Sequence, residues 1–518
     1  MIPAGVRDEP CFTLTPRNGV VETRGPAHFF RGHRIPDADG PPDGIFAEWS
    51  WDGRRLTIRG DRYGASPLFY ALDGARLLVS PSLVKLVEAG APTGFDEAAL
   101  AVFLRLGFFL GDDTPFQSIR TLPPDGTLTW EAGTVTISGG YRFVRPQRLS
   151  RDAAIDGFID LFRQAMSRRP PAGQDVVVPL SGGRDSRHIL FELCESGHRP
   201  SYTVTIPRYP PRPSEDERIA PLIAGELGVP HVLLAQTDSK FLLELRKNWE
   251  THLCSDEHTW YVPMVDELTG KAGTLYDGLG GALSVPNRFL SREALDLFEA
   301  GKTRELAGRL LQSLARSDEP FLMGVLRAPF RKALSFDCAV GHFAEELERH
   351  RAAPDPIKSF NFWNRIRREL ALVPYGMMRG VPTVYSPYLD HHLYDFLSSL
   401  APEVMSPTLS ASDKSFHSEA VLRGYPRLAH MPFEDKAAPK RDPRAIDARF
   451  AADAARYLLP RVGRGSRLLN SQYVGPRLLY GLARRSYRED TGWLPNLALY
   501  LFQLDALAGR NQAALRAA

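Results

Sequence analysis

The stretch that decides the fold is Asp175-Val-Val-Val-Pro-Leu-Ser-Gly-Gly-Arg-Asp-Ser186. Its β-branched run, from Val176 to Val178, predicts a buried strand. The two glycines then predict a sharp turn, after which Asp185 or Ser186 caps a helix that runs from about residue 187 to 196. The segment is therefore predicted to pass from a strand through a tight turn into a helix.

This turn has the properties of a phosphate site. Gly182 and Gly183 have no Cβ, so an anion can approach the main chain closely. The N–H groups at the start of a helix attract negative charge, and Ser181 and Ser186 add hydroxyl donors. Asp185 alone would repel phosphate, so a carboxylate here predicts a bridging Mg2+. The alternative is an ordinary strand-to-helix turn, which two glycines by themselves would also allow.

The order Ser-Gly-Gly-x-Asp-Ser after a valine run resembles the pyrophosphate-binding loop of ATP-pyrophosphatases, which split ATP into AMP and pyrophosphate. The resemblance implies ATP as cosubstrate and Mg2+ as cofactor, with Asp185 as a metal ligand. The chain has no Gly-x-x-x-x-Gly-Lys-Ser/Thr spacing, so a Walker A loop is excluded. The implied ATP and pyrophosphate site consists of Ser181, Gly182, Gly183, Asp185 and Ser186.

Composition and charge predict a globular protein with two or more domains. The chain has 518 residues, of which 43% are hydrophobic and 24% charged. The longest apolar stretch, 98–111, contains Arg105 and is too short for a bilayer. The N-terminus has no apolar export segment, so a cytoplasmic location without membrane contact is expected. A net charge of +3 argues against a nucleic-acid partner, and four scattered cysteines argue against disulfides or zinc.

Residues 1–146 are predicted to form a β-rich front domain. Short alternating segments at 45–51, 55–59, 68–72 and 76–80 are separated by Asp-Gly pairs, which are typical of hairpins. Asp96 is expected to cap a helix that ends at Leu106.

The segment Gly60-Asp-Arg-Tyr-Gly-Ala-Ser-Pro-Leu-Phe-Tyr resembles glutamine amidotransferase domains that use an N-terminal cysteine, and the stretch 111–126 resembles the asparagine-synthetase family. Together with the loop above, this implies an Ntn-type α+β sandwich followed by a synthetase domain over 147–518.

The front domain departs from its family at the nucleophile. A glutaminase of this type needs cysteine as its first mature residue, because the thiolate and the α-amine act together. This chain begins Met1-Ile2, and Cys11 follows Pro10. We therefore predict that Cys11 is a small packed residue and that the domain makes no ammonia. β-Lactam synthetases and lasso-peptide cyclases share this loss, and they use an amine already present in the substrate.

After residue 147, strands at 201–206 and 228–234 alternate with helices. This pattern predicts a doubly wound parallel α/β sheet with ligand at the carboxyl ends of its strands, followed by a helical C-terminal part. A helical stretch is predicted at about 291–315. Tyr276-Asp-Gly-Leu-Gly-Gly resembles the second acidic loop of the family, which implies that Asp277 is a metal ligand. Gly280, Gly281 and Ala282 stand where the family has a further Asp-Glu pair.

Two more positions come from the resemblance. Residues 381–392 resemble the Glu-x-Arg-x-Pro-Phe-Leu-Asp segment of the family, which places Thr383 where the family has a glutamate. A lysine region holds Lys414, Lys436 and Lys440, and only ten of the 64 basic residues are lysines. We assign Lys436, rather than Lys440, as the catalytic lysine that steadies the transition state; a solvated surface lysine is the alternative.

The resemblance predicts an ATP-dependent, AMP-forming amide ligase that acts on a small-molecule or peptide carboxylate without hydrolysing glutamine. Macrolactam or β-lactam closure would be examples, and asparagine synthesis from ammonia is the alternative within this class. A non-catalytic relative that binds nucleotide or a partner, and an RNA-modifying ATP-pyrophosphatase, are alternatives from other classes. A biosynthetic partner protein or a second copy of the chain is left open as an interaction partner.

Overall fold

The structure is a computed structural model that describes residues 2–37, 40–209, 215–236, 239–410, 412–435, 444–483 and 494–517. It is a mixed α/β protein with three sheets in this described part. None of the helices described there is both long enough and apolar enough to cross a membrane.

The front part, residues 2–146, is built around ten strands. Three helices accompany them: α1 (Ala4–Arg7), α2 (Leu83–Glu88) and α3 (Glu97–Leu106). The side chain of Asp96 caps α3 by accepting a hydrogen bond from the N–H of Ala99, as the sequence predicts. The strands are β1 (Phe12–Arg17), β2 (Val20–Arg24), β3 (His28–Gly32), β4 (Phe46–Trp51), β5 (Arg55–Gly60), β6 (Phe69–Asp73), β7 (Arg76–Ser80), β8 (Ile119–Thr121), β9 (Thr127–Glu131) and β10 (Thr134–Ser138).

These strands form two antiparallel sheets that share one core. The sheet orders are β2-β1-β7-β6-β8 and β10-β9-β5-β4-β3. Phe12 and Leu77 of the first sheet meet Trp49 and Leu56 of the second in a single buried cluster. Alternating apolar residues on the two inner faces produce this packing. The front part is therefore a sandwich, although no strand was predicted for the stretch that forms β1 to β3.

The rear part contains a parallel sheet of five strands: β11 (Val176–Pro179), β12 (Tyr202–Thr205), β13 (His231–Leu233), β14 (Thr274–Tyr276) and β15 (Thr383–Tyr385). Their order is β13-β12-β11-β14-β15, and each neighbouring pair is parallel. The strand order reverses between β11 and β14, and the crevice outside the carboxyl ends at such a point is the usual ligand position in open α/β sheets.

Helices make up most of the remaining rear part, and its C-terminal end is helical. Their bounds are α4 (Arg151–Ser167), α5 (Asp185–Glu195), α6 (Glu215–Glu226), α7 (Lys240–Glu250), α8 (Val262–Leu268), α9 (Arg292–Glu299), α10 (Thr303–Leu314), α11 (Glu319–Val325), α12 (Ala328–Ala333), α13 (Phe336–Glu348), α14 (Pro356–Phe360), α15 (His391–Ser399), α16 (Pro402–Met405), α17 (Ser415–Gly424), α18 (Arg444–Arg464), α19 (Ser471–Ala483) and α20 (Leu494–Ala517). Short 3-10 and π-helical turns lie at Thr259–Tyr261, Gly281–Ser284, Asn361–Ile366, Leu370–Leu372, Val373–Met377, Pro387–Leu389 and Pro426–Leu428.

A buried arginine joins the two parts. The guanidinium of Arg169 lies 2.5 Å from Asp43 of the front part and 2.7 Å from Asp390 of the rear part. Asp390 also accepts the N–H groups of His392 and Leu393, and so caps α15. Because removing one member of a buried ion pair leaves an uncompensated charge, Arg169 couples the two parts strongly.

Two helix boundaries differ from the sequence predictions. Helix α5 begins at Asp185, and its N-cap, Arg184, makes no side-chain cap bond. Asp185 therefore lies in the first turn, where its charge suits the helix dipole. The helical stretch predicted at 291–315 is two helices, α9 and α10, because the chain adopts a φ of +71° at Gly301.

Candidate functional site

The segment between β11 and α5 folds into a tight loop that serine side chains hold together. The N–H of Ser181 donates to Oγ of Ser186 over 3.1 Å, and the N–H of Gly183 donates to Oγ of Ser181 over 3.2 Å. The two hydroxyl oxygens are themselves 3.2 Å apart. Each serine therefore shapes the loop in addition to any contact with a ligand.

Neighbouring segments secure the loop from both sides. The N–H of Gly182 donates to Asp216 Oδ1 over 2.8 Å, and the carbonyl of Gly182 accepts the N–H of Glu434 over 2.9 Å. A Cβ at position 182 would lie 3.3 Å from the Cβ atoms of both Ile219 and Glu434, which is why glycine fits there. Since the N–H groups of both glycines already have acceptors, the first turn of α5 supplies the remaining main-chain donors for an anion.

The loop borders a cavity of about 490 Å³ at the carboxyl ends of β11, β12 and β14. Ser181, Gly183, Asp185 and Ser186 line it, as does Asp277 from the loop after β14. The predicted loop residues and the predicted second acidic residue therefore meet at one site, although they are far apart in the chain. Gly182, the remaining predicted loop residue, does not line the cavity and is buried against Ile219 and Glu434.

Asp277 is half-buried where it lines the cavity. Burial raises the pKa of its carboxyl to about 6, and the negative charge of Asp185 acts in the same direction. The N–H of Leu279 donates to Asp277 Oδ1 over 2.8 Å and orients the side chain. A carboxylate pair of this kind gains stability from a cation between its members.

Gly281 lies directly against the side chain of Asp185. A Cβ at position 281 would lie 2.6 Å from Asp185 Oδ1 and 2.8 Å from Asp185 Cβ. The side chain of Asp185 thus occupies the space that a side chain at this position would need. A larger residue at position 281 would therefore force the side chain of Asp185 to move.

The donor set at this site fits Mg2+ as a partner of phosphate. Within the described part of the chain, no three His, Cys, Asp or Glu side chains form a group that could hold a metal ion by themselves. Mg2+ is commonly bound by one or two carboxylates, with substrate phosphates and water completing its shell. Asp185 and Asp277 would supply those carboxylates.

Basic residues around the loop were mostly missed by sequence reasoning. Arg184 lines the cavity, and its Nε donates to Ser418 Oγ over 2.6 Å. Lys414 also lines the cavity, with Nζ 3.2 Å from Glu434 Oε1. A positive residue inside the Ser-Gly-Gly-x-Asp-Ser motif was the one available signal for Arg184.

The predicted catalytic lysine, Lys436, lies outside the described residues, and so does Lys440. The described chain reaches the residue before it, Asp435, whose N–H donates to Glu215 Oε2 over 3.0 Å. Glu434 lines the cavity. Glu434 and Asp435, the residues just before Lys436, therefore lie beside the phosphate loop.

Two buried histidines, His188 and His417, lie next to each other, and His417 contacts Asp185. This pair was not identified from the sequence. His417 Nδ1 lies 2.8 Å from Ser284 Oγ and 3.3 Å from Asp185 Oδ1. His417 Nε2 lies 3.2 Å from Nδ1 of His188 on α5. No local pattern marks these residues, since α17 brings His417 to α5 across more than two hundred positions.

Thr383 is not brought to the cavity. It is the first residue of β15 and pairs with Thr274, the first residue of β14. Asp277 follows the other end of β14, and its N–H donates to the carbonyl of Tyr385. The residue aligned with the family glutamate therefore lies toward the opposite edge of the sheet.

The front part contains one cysteine, Cys11. Cys11 directly precedes β1, and the carbonyl of Pro10, to which its nitrogen is bonded, accepts a hydrogen bond from Ser80 Oγ over 2.7 Å. Burial raises the pKa of Cys11 to about 11, even though Lys85 and Arg76 act against the shift. This sulfur is protonated at neutral pH and has no α-amine beside it, so it lacks the features of an activated nucleophile.

Comparison with known proteins identifies the domain family that the front part resembles. The model of a glutamine amidotransferase domain matches residues 41–142. This match covers about a fifth of the 518 residues, and shows that the front part is amidotransferase-like. No curated protein is similar enough to the chain to count as a match.

Two solved structures align with parts of the chain. One is glutamine phosphoribosylpyrophosphate amidotransferase from B. subtilis in complex with ADP and GMP, at 9% identity over 52% of this chain and 59% of that chain, with a TM-score of 0.16. The other is described as the allosteric regulatory enzyme of purine biosynthesis, at 13% identity over 45% of this chain and 56% of that chain, with a TM-score of 0.15. The chain thus spans less than two thirds of either structure, and neither TM-score is high enough to carry an argument.

Proposed function

We propose that this protein is an ATP-dependent amide ligase that forms AMP and pyrophosphate. The observation that carries the proposal is the meeting of two loops at one cavity. The Ser181–Ser186 loop follows β11, and Asp277 follows the adjacent strand β14. Together they line one cavity with hydroxyl groups, the N-terminus of a helix and two carboxylates.

In the proposed reaction, a substrate carboxylate attacks the α-phosphorus of ATP and pyrophosphate leaves. An amine then attacks the acyl carbon of the adenylate and AMP leaves. Ser181, Ser186 and the first turn of α5 hold the phosphates, while Asp185 and Asp277 hold Mg2+. The bound metal screens the negative charge of the phosphates. Lys436 is proposed to stabilise the charge that develops as pyrophosphate departs.

The amine is proposed to come from the substrate itself. The raised pKa of the half-buried Cys11 thiol, together with the peptide bond between Cys11 and Pro10, supports the proposal that the front part releases no ammonia from glutamine. A substrate that carries both groups would close to a macrolactam or a β-lactam. Free ammonia, as in asparagine synthesis, is the alternative source.

The test is ATP–pyrophosphate exchange by the full chain with a panel of amino acids and peptides, with Mg2+ and with EDTA. We expect exchange that needs both Mg2+ and a particular carboxylate, and calorimetric binding of Mg-ATP that Asp185→Ala abolishes. The change lies at the start of a helix that borders a loop, so the fold should survive. Asp160→Ala, at an exposed position of α4, is the matched control.

Unchanged ATP affinity in Asp185→Ala would contradict the site. Salt-dependent retention of RNA, without exchange on any acid, would favour the RNA-modifying alternative instead. Binding of ATP without exchange on any acid would favour the non-catalytic alternative.

A further inference from the structure

The cavity is lined by residues of two kinds. Charged side chains line it at the phosphate loop, among them Asp185, Arg184 and Lys414. Apolar side chains line it from α8, from the segment after β14 and from the stretch 370–374. Seven aliphatic side chains form this apolar wall: Met264, Leu279, Ala282, Val285, Leu370, Val373 and Pro374.

The apolar wall presents surface to the cavity and is not simply core. Ala282, Val285 and Leu370 are half-buried, whereas most aliphatic residues of the sheet are fully buried. Leu370 and Val373 lie where a 3-10 turn, Leu370–Leu372, passes directly into a π-helical turn, Val373–Met377. Such departures from α-helical geometry are uncommon and often occur at functional sites.

Each of the arginines that border the apolar wall has an acidic partner. Arg365 Nη2 lies 3.0 Å from Glu257 Oε2. Arg208 lies 3.9 Å from Asp216 and stacks over the ring of Trp260 at 5.4 Å. A second carboxylate on a ligand would lose its hydration here and would have to compete with these acidic partners for a cation.

We propose that the acid adenylated in this cavity has an apolar body and no second carboxylate. This inference rests on the proposed function and names the substrate class for that site. The reacting carboxylate lies toward the phosphate loop, and the body of the acid packs against the apolar wall. Each methylene buried there should tighten binding about fourfold. A dicarboxylate such as aspartate gains nothing from this wall.

The test is calorimetric titration of the full chain, saturated with Mg2+ and α,β-methylene ATP, with butanoate, hexanoate, octanoate and succinate. We expect the Kd to fall about fifteenfold for each two methylenes added, with succinate weakest. Succinate binding as tightly as hexanoate, or a Kd independent of chain length, would overturn the inference.

Variants of the apolar wall provide a second measurement. Val285→Asp should raise the Kd of hexanoate at least tenfold and leave that of α,β-methylene ATP unchanged, while Val285→Ile is the matched control. If Val285→Asp fails to fold, Ala282→Leu should shift the preference toward shorter acids by filling part of the cavity. An unaltered preference in whichever variant folds would overturn the inference.

Pyrophosphate exchange separates this inference from the proposed function. Absence of exchange with every acid, while octanoate still binds more tightly than butanoate, would defeat the ligase and leave the apolar subsite standing. Exchange that is fastest with aspartate would defeat the apolar subsite and leave the ligase standing.

Discussion

Cys11 precedes the first strand of the front part and Asp185 begins the helix that follows the central strand of the rear part, and the two residues differ in chemistry. Burial raises the pKa of the Cys11 thiol to about 11, and its nitrogen is tied into a peptide bond with Pro10. Asp185 borders a cavity of about 490 Å³ together with Asp277 and two serines. We therefore expect no chemistry at Cys11, whereas Asp185 faces a space that could hold a ligand.

The difference predicts that a fold and its activity have separated within one chain. Residues 41–142 match an amidotransferase domain, a range that does not include Cys11, and similarity of fold does not by itself imply activity. The front part remains structurally necessary, because Asp43 is an ion-pair partner of the buried Arg169. Chemistry is therefore expected in the rear part alone.

The largest effect that would sharpen this comparison is expected at Lys436. Lys436→Ala should lower turnover by about a hundredfold or more, roughly the effect of losing one preorganised charge contact. ATP affinity should change little, because the contact forms mainly in the transition state. Steady-state exchange rates and calorimetry measure the two quantities separately.

Lys440→Ala is the control and should be nearly silent. Damage from Lys440→Ala in place of Lys436→Ala would move the assignment by four residues. An active enzyme indifferent to both changes would remove Lys436 from the site.

An intermediate effect is expected at Gly281. In Gly281→Ala the new Cβ would lie 2.6 Å from Asp185 Oδ1, so the carboxylate must move. We expect the affinity for Mg-ATP to fall about tenfold, which corresponds to about 1.4 kcal/mol, without loss of the folded state. Calorimetry at matched Mg2+ concentrations measures the change.

Gly225→Ala is the control, because nothing lies within 4 Å of a Cβ placed there. It should stabilise α6 by up to about 1 kcal/mol and leave ATP affinity unchanged. Full Mg-ATP affinity in Gly281→Ala would show that Asp185 need not hold its present position.

The smallest effect is expected at Cys11. The protein should release no glutamate from glutamine, and Cys11→Ala should leave ATP–pyrophosphate exchange within about twofold, because a protonated thiol in an amide-bonded cysteine does no chemistry. Cys338→Ala is the matched control. Glutamate release that disappears in Cys11→Ala alone would break the comparison between the two regions.

The sequence by itself determined the local units of the fold. The valine run and the glycines of 175–186 specify the strand, the turn and the helix that follow, and Asp96 specifies the start of α3. Asp-Gly pairs mark hairpins of the front sandwich. These features depend on neighbours within a few residues, where propensity, capping and turn chemistry act. Strands β1 to β3 escaped prediction because their pairing partners, rather than their pattern, define them.

The tertiary structure alone decided which side chains surround the phosphate loop. Asp216 accepts a hydrogen bond from the N–H of Gly182, and the N–H of Glu434 donates to the carbonyl of the same glycine. His417 contacts Asp185. The tertiary structure also placed Thr383 at the far edge of the sheet, away from the cavity to which alignment had assigned it. Strand order and helix packing produce these encounters. They join residues up to about 250 positions apart, a separation at which sequence patterns carry no information about distance in space.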